Sequence, residues 1–226
     1  MLSIIIPTLN AGAALPLTLA CLSSPQSAAL PHEIIIADGG SVDRTAAAAI
    51  DGGAIFLESS RGRGCQLAAG AGAATGEWLL FLHADTRPQA GWWEAVAEFI
   101  ADPDNSSMAA YFSFALDDDA RIARLLERLV RLRSSFFGLP YGDQGLLISR
   151  AHYDRLGGYK SVPLMEDVDF VRRIGGRKLR SLSVTALTSA DKYRRDGYFR
   201  RPLLNILLIA LYSAGVSPSQ LNRLYR

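Results

Sequence analysis

Leu2-Ser-Ile-Ile-Ile-Pro-Thr-Leu-Asn10 and Glu33-Ile-Ile-Ile-Ala-Asp-Gly-Gly-Ser41 are the stretches whose reading decides the fold. Each opens on a short run dominated by isoleucine, Leu2–Ile6 and Glu33–Ala37, and each stops at polar turn residues. Such runs lack the alternation of a strand with one wet face. They read as strands buried on both sides, the pattern of a parallel sheet covered by helices. Between them Ala13–Leu22 has helical composition, and Pro25 and Pro31 interrupt the return. Ser41-Val42-Asp43 caps a second helix through Ala46–Ala49, which Gly52-Gly53 stops. Ala54–Glu58 reads as a third strand, Cys65–Ala74 as a third helix and Trp78–Leu82 as a fourth strand. This β-α-β-α-β-α-β alternation predicts an α/β fold with a doubly wound, mostly parallel sheet.

After Asp85 the rhythm changes. Ala90–Ala101 reads as a helix carrying Trp92 and Trp93, and Ala109–Leu116 as a strand. Ala120–Arg133 has apolar residues at 122, 125, 126, 129 and 132, an amphipathic helix. Gly145–Ser149 is expected to be a strand, Glu166–Ile174 a helix and Val184–Leu187 a last edge strand. No internal repeat or low-complexity linker divides the 226 residues. The simplest organisation is one domain over 1–190 and a helical extension over 191–226.

Composition narrows the class. With 49% apolar and 20% charged residues, the chain is not disordered, collagen-like or a coiled coil. Cys21 and Cys65 are too few for a disulfide framework, and no basic region precedes Leu2–Ile6 as in an export signal; a reducing, cytoplasmic setting is expected. The net charge of +2 hides an asymmetry: residues 1–170 carry −8 and residues 171–226 carry +10. Lys192, Arg194, Arg195, Arg200 and Arg201 directly precede the apolar stretch Pro202–Gly215, whose 14 residues are too few to span a bilayer. That order suits an interfacial segment on the anionic inner face of a membrane. A helix of this length equally suits packing on the core or pairing with a second subunit. The arginines are not interleaved with an RNA-binding motif, so nucleic acid is not an expected partner.

Open α/β sheets bind ligands beyond the carboxyl ends of their strands. Asp38 and Asp85 stand at two such ends, with Arg61 and Arg63 after the third strand. This set suggests a polyanion held with the help of a cation, although Asp38 and Ser41 would also serve as plain helix caps. A Rossmann fingerprint is excluded, because Pro7 occupies the place of the tight glycine turn and Gly62-Arg63-Gly64 lacks a third glycine. No Walker lysine pattern occurs either.

Ser3-Ile-Ile-Ile-Pro-Thr-Leu-Asn10, Ile35-Ile-Ala-Asp-Gly-Gly-Ser-Val-Asp-Arg-Thr45 and Gly76-Glu-Trp-Leu-Leu-Phe-Leu-His-Ala-Asp-Thr86 resemble, in order and spacing, the family 2 glycosyltransferases of the GT-A fold. Gly142-Asp-Gln-Gly145 and Glu166-Asp167 resemble that family's later, acceptor-side motifs. Arg61-Gly-Arg-Gly-Cys-Gln66 together with His83-Ala-Asp-Thr86 looks like a small bacterial subgroup with HADT in place of DxD. The resemblance covers residues 2–175 and departs from the family at two places: a single acid in Asp38-Gly39-Gly40, and His83 at the first DxD position.

The resemblance implies a Rossmann-like central sheet and a nucleotide-sugar donor of UDP or GDP type. Pro7, Thr8 and Asn10 would border the base and ribose, Asp38 would bond to either, and Arg61 would meet the diphosphate. Gln66 and Ala84 fall within the same donor site. Asp85 would hold Mn²⁺ or Mg²⁺, with His83 either a second ligand or a core residue. Asp143 and Gln144 would lie near the donor sugar or acceptor, unless they only build a glycine turn. Asp167 would be the catalytic base, since an acceptor hydroxyl must lose its proton as it attacks. Glu166 would assist, and Asp169 is the weaker alternative. A single base implies inversion. The acceptor is not legible; a lipid-linked one would suit the basic tail. Two other readings stand beside this one: a nucleotidyltransferase, whose Gly- and Lys/Arg-rich N-terminal signature is missing, and a non-catalytic module for anionic surfaces.

Overall fold

Isoleucine-rich strands need cover on both faces, and parity along the chain decides which face each side chain takes. The computed structural model describes residues 1–23, 30–198 and 200–225, without the side chains of 137, 192, 196, 200 and 201. Pro25 and the side chains of Lys192, Arg200 and Arg201 therefore lie outside the described residues. Strand β1 (Leu2–Thr8) pairs in parallel with β2 (His32–Asp38), matching Ile4 to Ile34 and Ile6 to Ile36. Strand β3 (Ile55–Glu58) pairs with β2, and β4 (Trp78–Phe81) with the other side of β1, both in parallel. Ile4, Ile6, Ile34 and Ile36 enter one buried cluster with Trp92 and Phe112, while Ile5 and Ile35 enter the opposite one with Leu67 and Phe170.

Helices α1 (Leu15–Leu22), α2 (Thr45–Asp51) and α3 (Arg63–Ala73) make the crossovers. Helix α3 lies close on β1, because a Cβ on Gly70 would overlap Ile5. The register also sets Thr8 opposite Asp38 and Asp38 opposite Glu58, so the polar strand ends share one edge of the sheet. That edge carries the site.

The second half completes an eight-stranded sheet of order β3-β2-β1-β4-β7-β6-β8-β5. Its strands are β5 (Thr86–Pro88), β6 (Ala109–Leu116), β7 (Leu146–Ser149) and β8 (Leu179–Thr188). The pairs β4–β7, β6–β7 and β5–β8 are antiparallel, and β6–β8 is parallel. The expected edge strand Val184–Leu187 is a correction: it is part of the ten-residue β8, which runs inside the sheet. The three-residue β5, too short to leave a pattern, takes the edge. Helix α4 (Trp92–Ala101) covers β8. Helix α5 (Arg121–Phe137) continues one turn beyond the expected stop at Arg133.

Helix α6 (Arg150–Arg155) follows β7, and α7 (Glu166–Ile174) starts at the polar edge. Helices α8 (Asp191–Asp196), α9 (Arg200–Ser213) and α10 (Pro218–Tyr225) finish the chain. Leu208 and Leu221 bury themselves against Met165 and Val168 of the α7 start, whereas Leu203, Ile206 and Leu207 stay exposed. The apolar segment therefore packs on the domain with one side and presents the other to solvent. Among the described residues no helix is long and apolar enough to cross a membrane. Both cysteines are free.

Gly70→Ala is expected to destabilise the fold by roughly 1–3 kcal/mol, the usual cost of overpacking. Thermal melting checks this. An unchanged Tm would mean that α3 shifts on β1 without strain.

Candidate active site

Two clefts open at the polar edge and share Arg63, His83 and Asp85. The first is walled by Pro7 and Thr8 at the end of β1 and Asn10 just beyond it, by Arg61 and Gln66 around the start of α3, and by Ala84 beside Asp85. Asn10 takes a left-handed conformation, φ +52°. Its Oδ1 accepts from the Val42 amide at 3.0 Å, and its own amide donates to Ser41 Oγ at 2.7 Å. The β1 and β2 loops are thereby locked together.

Asp38 sits behind this cleft rather than in its lining. Its Oδ1 accepts from Thr8 Oγ1 at 2.8 Å and Ser41 Oγ at 2.6 Å; its Oδ2 accepts from the Gly40 and Ser41 amides at 3.0 and 2.7 Å. Burial raises the pKa of this carboxyl, but the bonds from Ser41, Thr8 and Gly40 outweigh it and hold it below the usual range. Gln66 reaches the cleft, yet its amide nitrogen donates to the Thr8 and Ala37 carbonyls, clamping β1 to β2.

Arg63 enters through backbone geometry. Gly62 lies at φ +134°, and a Cβ on Gly64 would strike the Lys160 carbonyl, so only glycine lets the first turn of α3 come this near that loop. The approach brings the Arg63 guanidinium 3.1 Å from Glu166 Oε1.

The second cleft runs from Tyr141, Gly142 and Asp143 past Met165–Val168 to Ser189, Tyr193, Leu208, Ile209 and Tyr225. Met165 has φ +67°, a conformation costly for a bulky residue, roughly 1–3 kcal/mol. The packing of its side chain against Val168, Leu208 and Leu221 holds it there. This kink presents Glu166 and Asp167 at the α7 start. Glu166 is buried, and burial raises its pKa against the opposing charge of Arg63, with Asp167 adding to the rise. Asp167 is half-buried; its Oδ2 accepts from the Gly142 amide at 3.3 Å and its Oδ1 from the Val168 amide at 2.8 Å. Asp169 points elsewhere, bound by Lys160 at 2.9 Å and Arg173 at 2.6 Å.

Asp143 Oδ1 is buried without a hydrogen-bond partner among the described residues. Burial, with the neighbouring Asp167 and Asp85 charges, pushes its pKa up to about 6, although Arg133 and Arg63 oppose the rise. Gln144 does not reach either cleft. Its Oε1 accepts from Ser134 Oγ at 2.8 Å and its amide donates to the Phe112 carbonyl at 3.2 Å, which fixes the turn from inside. A Cβ on Gly142 would overlap the His83 ring, so that glycine leaves room for the histidine.

Of the residues expected from the sequence, Pro7, Thr8, Asn10, Arg61, Gln66, Ala84, His83, Asp85, Asp143, Glu166 and Asp167 are brought together. Asp38 and Gln144 support the walls from behind. Arg63, grouped with Arg61 by its place after the third strand, proves to be shared by both clefts. Tyr141 and the wall built by α9 and α10 were not expected, and nothing local marked them. Among the described residues no group of three His, Cys, Asp or Glu side chains could hold a metal alone. His83 and Asp85, at the junction, fit a cation that takes its remaining ligands from a diphosphate and water, as Mg²⁺ commonly does.

Residues 3–152 match the family model of glycosyl transferase family 2. The PGL/p-HBAD biosynthesis glycosyltransferase of Mycobacterium tuberculosis is 38% identical over 121 residues, 48% of this chain and 44% of that protein. The chain thus spans less than half the length of the curated relatives it matches. The mannosyltransferase PcManGT of Pyrobaculum calidifontis, in complex with GDP-Man and Mn²⁺, is similar with a TM-score of 0.62 at 21% identity, over 84% of this chain and 57% of that one. S. aureus TarS is similar with a TM-score of 0.64 at 14% identity, over 97% of this chain and 68% of that one. The likeness is one of fold, and the fold is GT-A.

Asp143 keeps its proton up to about pH 6 in the folded chain, against 3.8 for an ordinary aspartate. Stability from this group is therefore present at acid pH and lost as pH rises through that window. Asp143→Asn is expected to gain on the order of 1 kcal/mol, or a Tm rise of roughly 2–4 °C, at pH 8 in chelator, and almost nothing at pH 4. Equal effects at both pH values would mean that the carboxylate is solvated or paired.

Proposed function

Because the chain belongs to glycosyl transferase family 2, we propose that it moves a sugar from a nucleoside diphosphate to an acceptor hydroxyl, inverting the anomeric carbon. The observation that carries this reading is the meeting of two clefts at Arg63, His83 and Asp85, with the Glu166–Asp167 pair lining only one of them. A donor in the first cleft and an acceptor in the second would meet at that junction.

In the donor cleft Pro7, Thr8 and Asn10 border the base and ribose, and Asp38 contributes by fixing Thr8 and the loop at Ser41. Arg61 and Arg63 face the diphosphate, which a planar guanidinium binds through paired hydrogen bonds. A UDP- or GDP-sugar is supported by two fold neighbours, TarS solved with UDP-GlcNAc and PcManGT with GDP-Man and Mn²⁺. Asp85 and His83 would hold Mn²⁺ or Mg²⁺, which supplies neutralisation of the leaving diphosphate's charge.

In the acceptor cleft Asp167 takes the hydroxyl proton as that oxygen attacks the anomeric carbon. The new carbon–oxygen bond forms while the bond to the diphosphate breaks, and the departing nucleotide keeps the electron pair. One such displacement inverts the centre. Glu166 holds Arg63 in place, and Asp143, protonated below about pH 6, faces the sugar or acceptor hydroxyls. Residues 191–226 act as the acceptor-side extension of a 1–190 catalytic domain. We place the enzyme in the cytoplasm with a lipid-linked acceptor. The exposed Leu203, Ile206 and Leu207, beside the cleft-lining Asn205 and Leu208, support contact of 202–226 with the inner membrane face or a second subunit.

Isothermal titration with UDP- and GDP-sugars and Mn²⁺ is expected to find a binding donor; no binding of any would overturn the donor reading. Asp167→Asn is expected to lower transfer by ~10²–10⁴ with donor affinity almost unchanged. Loss of donor affinity with normal transfer per bound donor would move Asp167 to the donor site. Asp85→Asn is expected to lower metal-dependent turnover by orders of magnitude at nearly constant Tm. Full activity at limiting Mn²⁺ would remove Asp85 from the metal.

A further inference from the structure

Helix α5 buries only one side. Ala123, Leu126 and Val130 pack with Phe114, Leu116 and Ala190. On its other side Leu125, Leu129, Leu132 and Phe136 are 47%, 54%, 50% and 80% exposed. Their spacing of four, three and four residues lines them up in one stripe. Single exposed apolar residues are ordinary, but a continuous row of four large ones marks a contact surface. At about 100° per residue, the exposed Arg121, Arg128 and Arg131 run along one flank of the stripe. Among the described residues none of these three has an ion-pair partner, whereas the acids nearby do. Asp117 pairs with Arg87 at 2.6 Å, Asp118 with Arg194 at 2.8 Å, and Arg124 binds both Asp119 at 3.4 Å and the buried Glu127 at 2.7 Å.

We propose that this face of α5 docks on an anionic lipid bilayer. Its occupant must offer hydrocarbon to four apolar side chains and negative charge to the row of arginines, and a bilayer with anionic headgroups offers both. A second copy of the face would set arginine against arginine with no acid to receive them. Nucleic acid offers phosphate but no hydrocarbon.

The helix leads directly to the second cleft. Arg133, one turn before its end, lays its guanidinium 3.3 Å from the centre of the Tyr141 ring and donates to the Leu139 carbonyl at 3.0 Å. Tyr141 lines that cleft. Docking therefore brings the cleft rim to headgroup level, within reach of an acceptor carried on lipid. The docking stands on α5 alone; only this use of it rests on the acceptor reading above.

Flotation of the full chain with vesicles of phosphatidylcholine, with and without phosphatidylglycerol, tests the proposal. Wild type is expected to float with the anionic vesicles at low salt and to be released at high salt. Arg128→Gln with Arg131→Gln is expected to weaken partition roughly 30-fold. Leu129→Ser with Phe136→Ser is expected to weaken it roughly tenfold or more. Melting curves and transfer to a water-soluble acceptor should match wild type for all of them, so a failure of docking is distinguishable from a failure of the enzyme reading. Four results would overturn the proposal: no flotation of wild type; equal flotation on uncharged vesicles; flotation lost only on Leu203→Ser with Ile206→Ser; or a dimer in sedimentation that Leu129→Ser dissociates.

Discussion

A guanidinium set among carboxylates is the interaction on which the rest of the site depends. Arg63 reaches Glu166 at 3.1 Å, and its charge is also felt by Asp167, Asp85 and Asp143. Without it Glu166 would be a buried charge with no partner, a state that costs several kcal/mol. The pair also ties the start of α3 to the start of α7, two helices separated by some hundred residues of chain. One ion pair thus ties a wall of each cleft to the other. Beside it Asp143 retains its proton to about pH 6.

Behind this lies a scaffold in which polar groups are taken up by the fold wherever the strands end. Asp38 gives both oxygens to Thr8, Gly40 and Ser41, and Gln66 clamps the Thr8 and Ala37 carbonyls. Such satisfied groups are rigid because every rearrangement would strand a buried donor or acceptor. The donor cleft accordingly rests on fixed backbone. The other cleft is walled by helix faces whose contacts, such as Leu208 and Leu221 on Met165, are apolar and less directional.

The parallel half of the fold was legible because Ile4–Ile6 and Ile34–Ile36 admit no other environment than a sheet covered on both faces. The edge position assigned to Val184–Leu187 was wrong because one strand's polarity does not report its neighbours; β8 is sheltered by α4 and β6, and the short β5 takes the margin. In the site, residue type and position at strand ends were enough to gather the donor-side residues. They were not enough to separate Asp38 and Gln144, whose polar atoms are occupied within the fold, from Asp143, whose Oδ1 is not. That distinction depends on partners far away in sequence. The left-handed Met165 was invisible for the same reason: its conformation is imposed by packing from α9 and α10.

The family match ends at residue 152, yet much of the second cleft is built from Leu164 to Tyr225. The two clefts therefore draw most of their walls from different stretches of the chain. Substitutions along α9 and α10 can reshape one without disturbing the hydrogen-bonded loops of the other. Resemblance in the first half is then a weak guide to what two relatives modify.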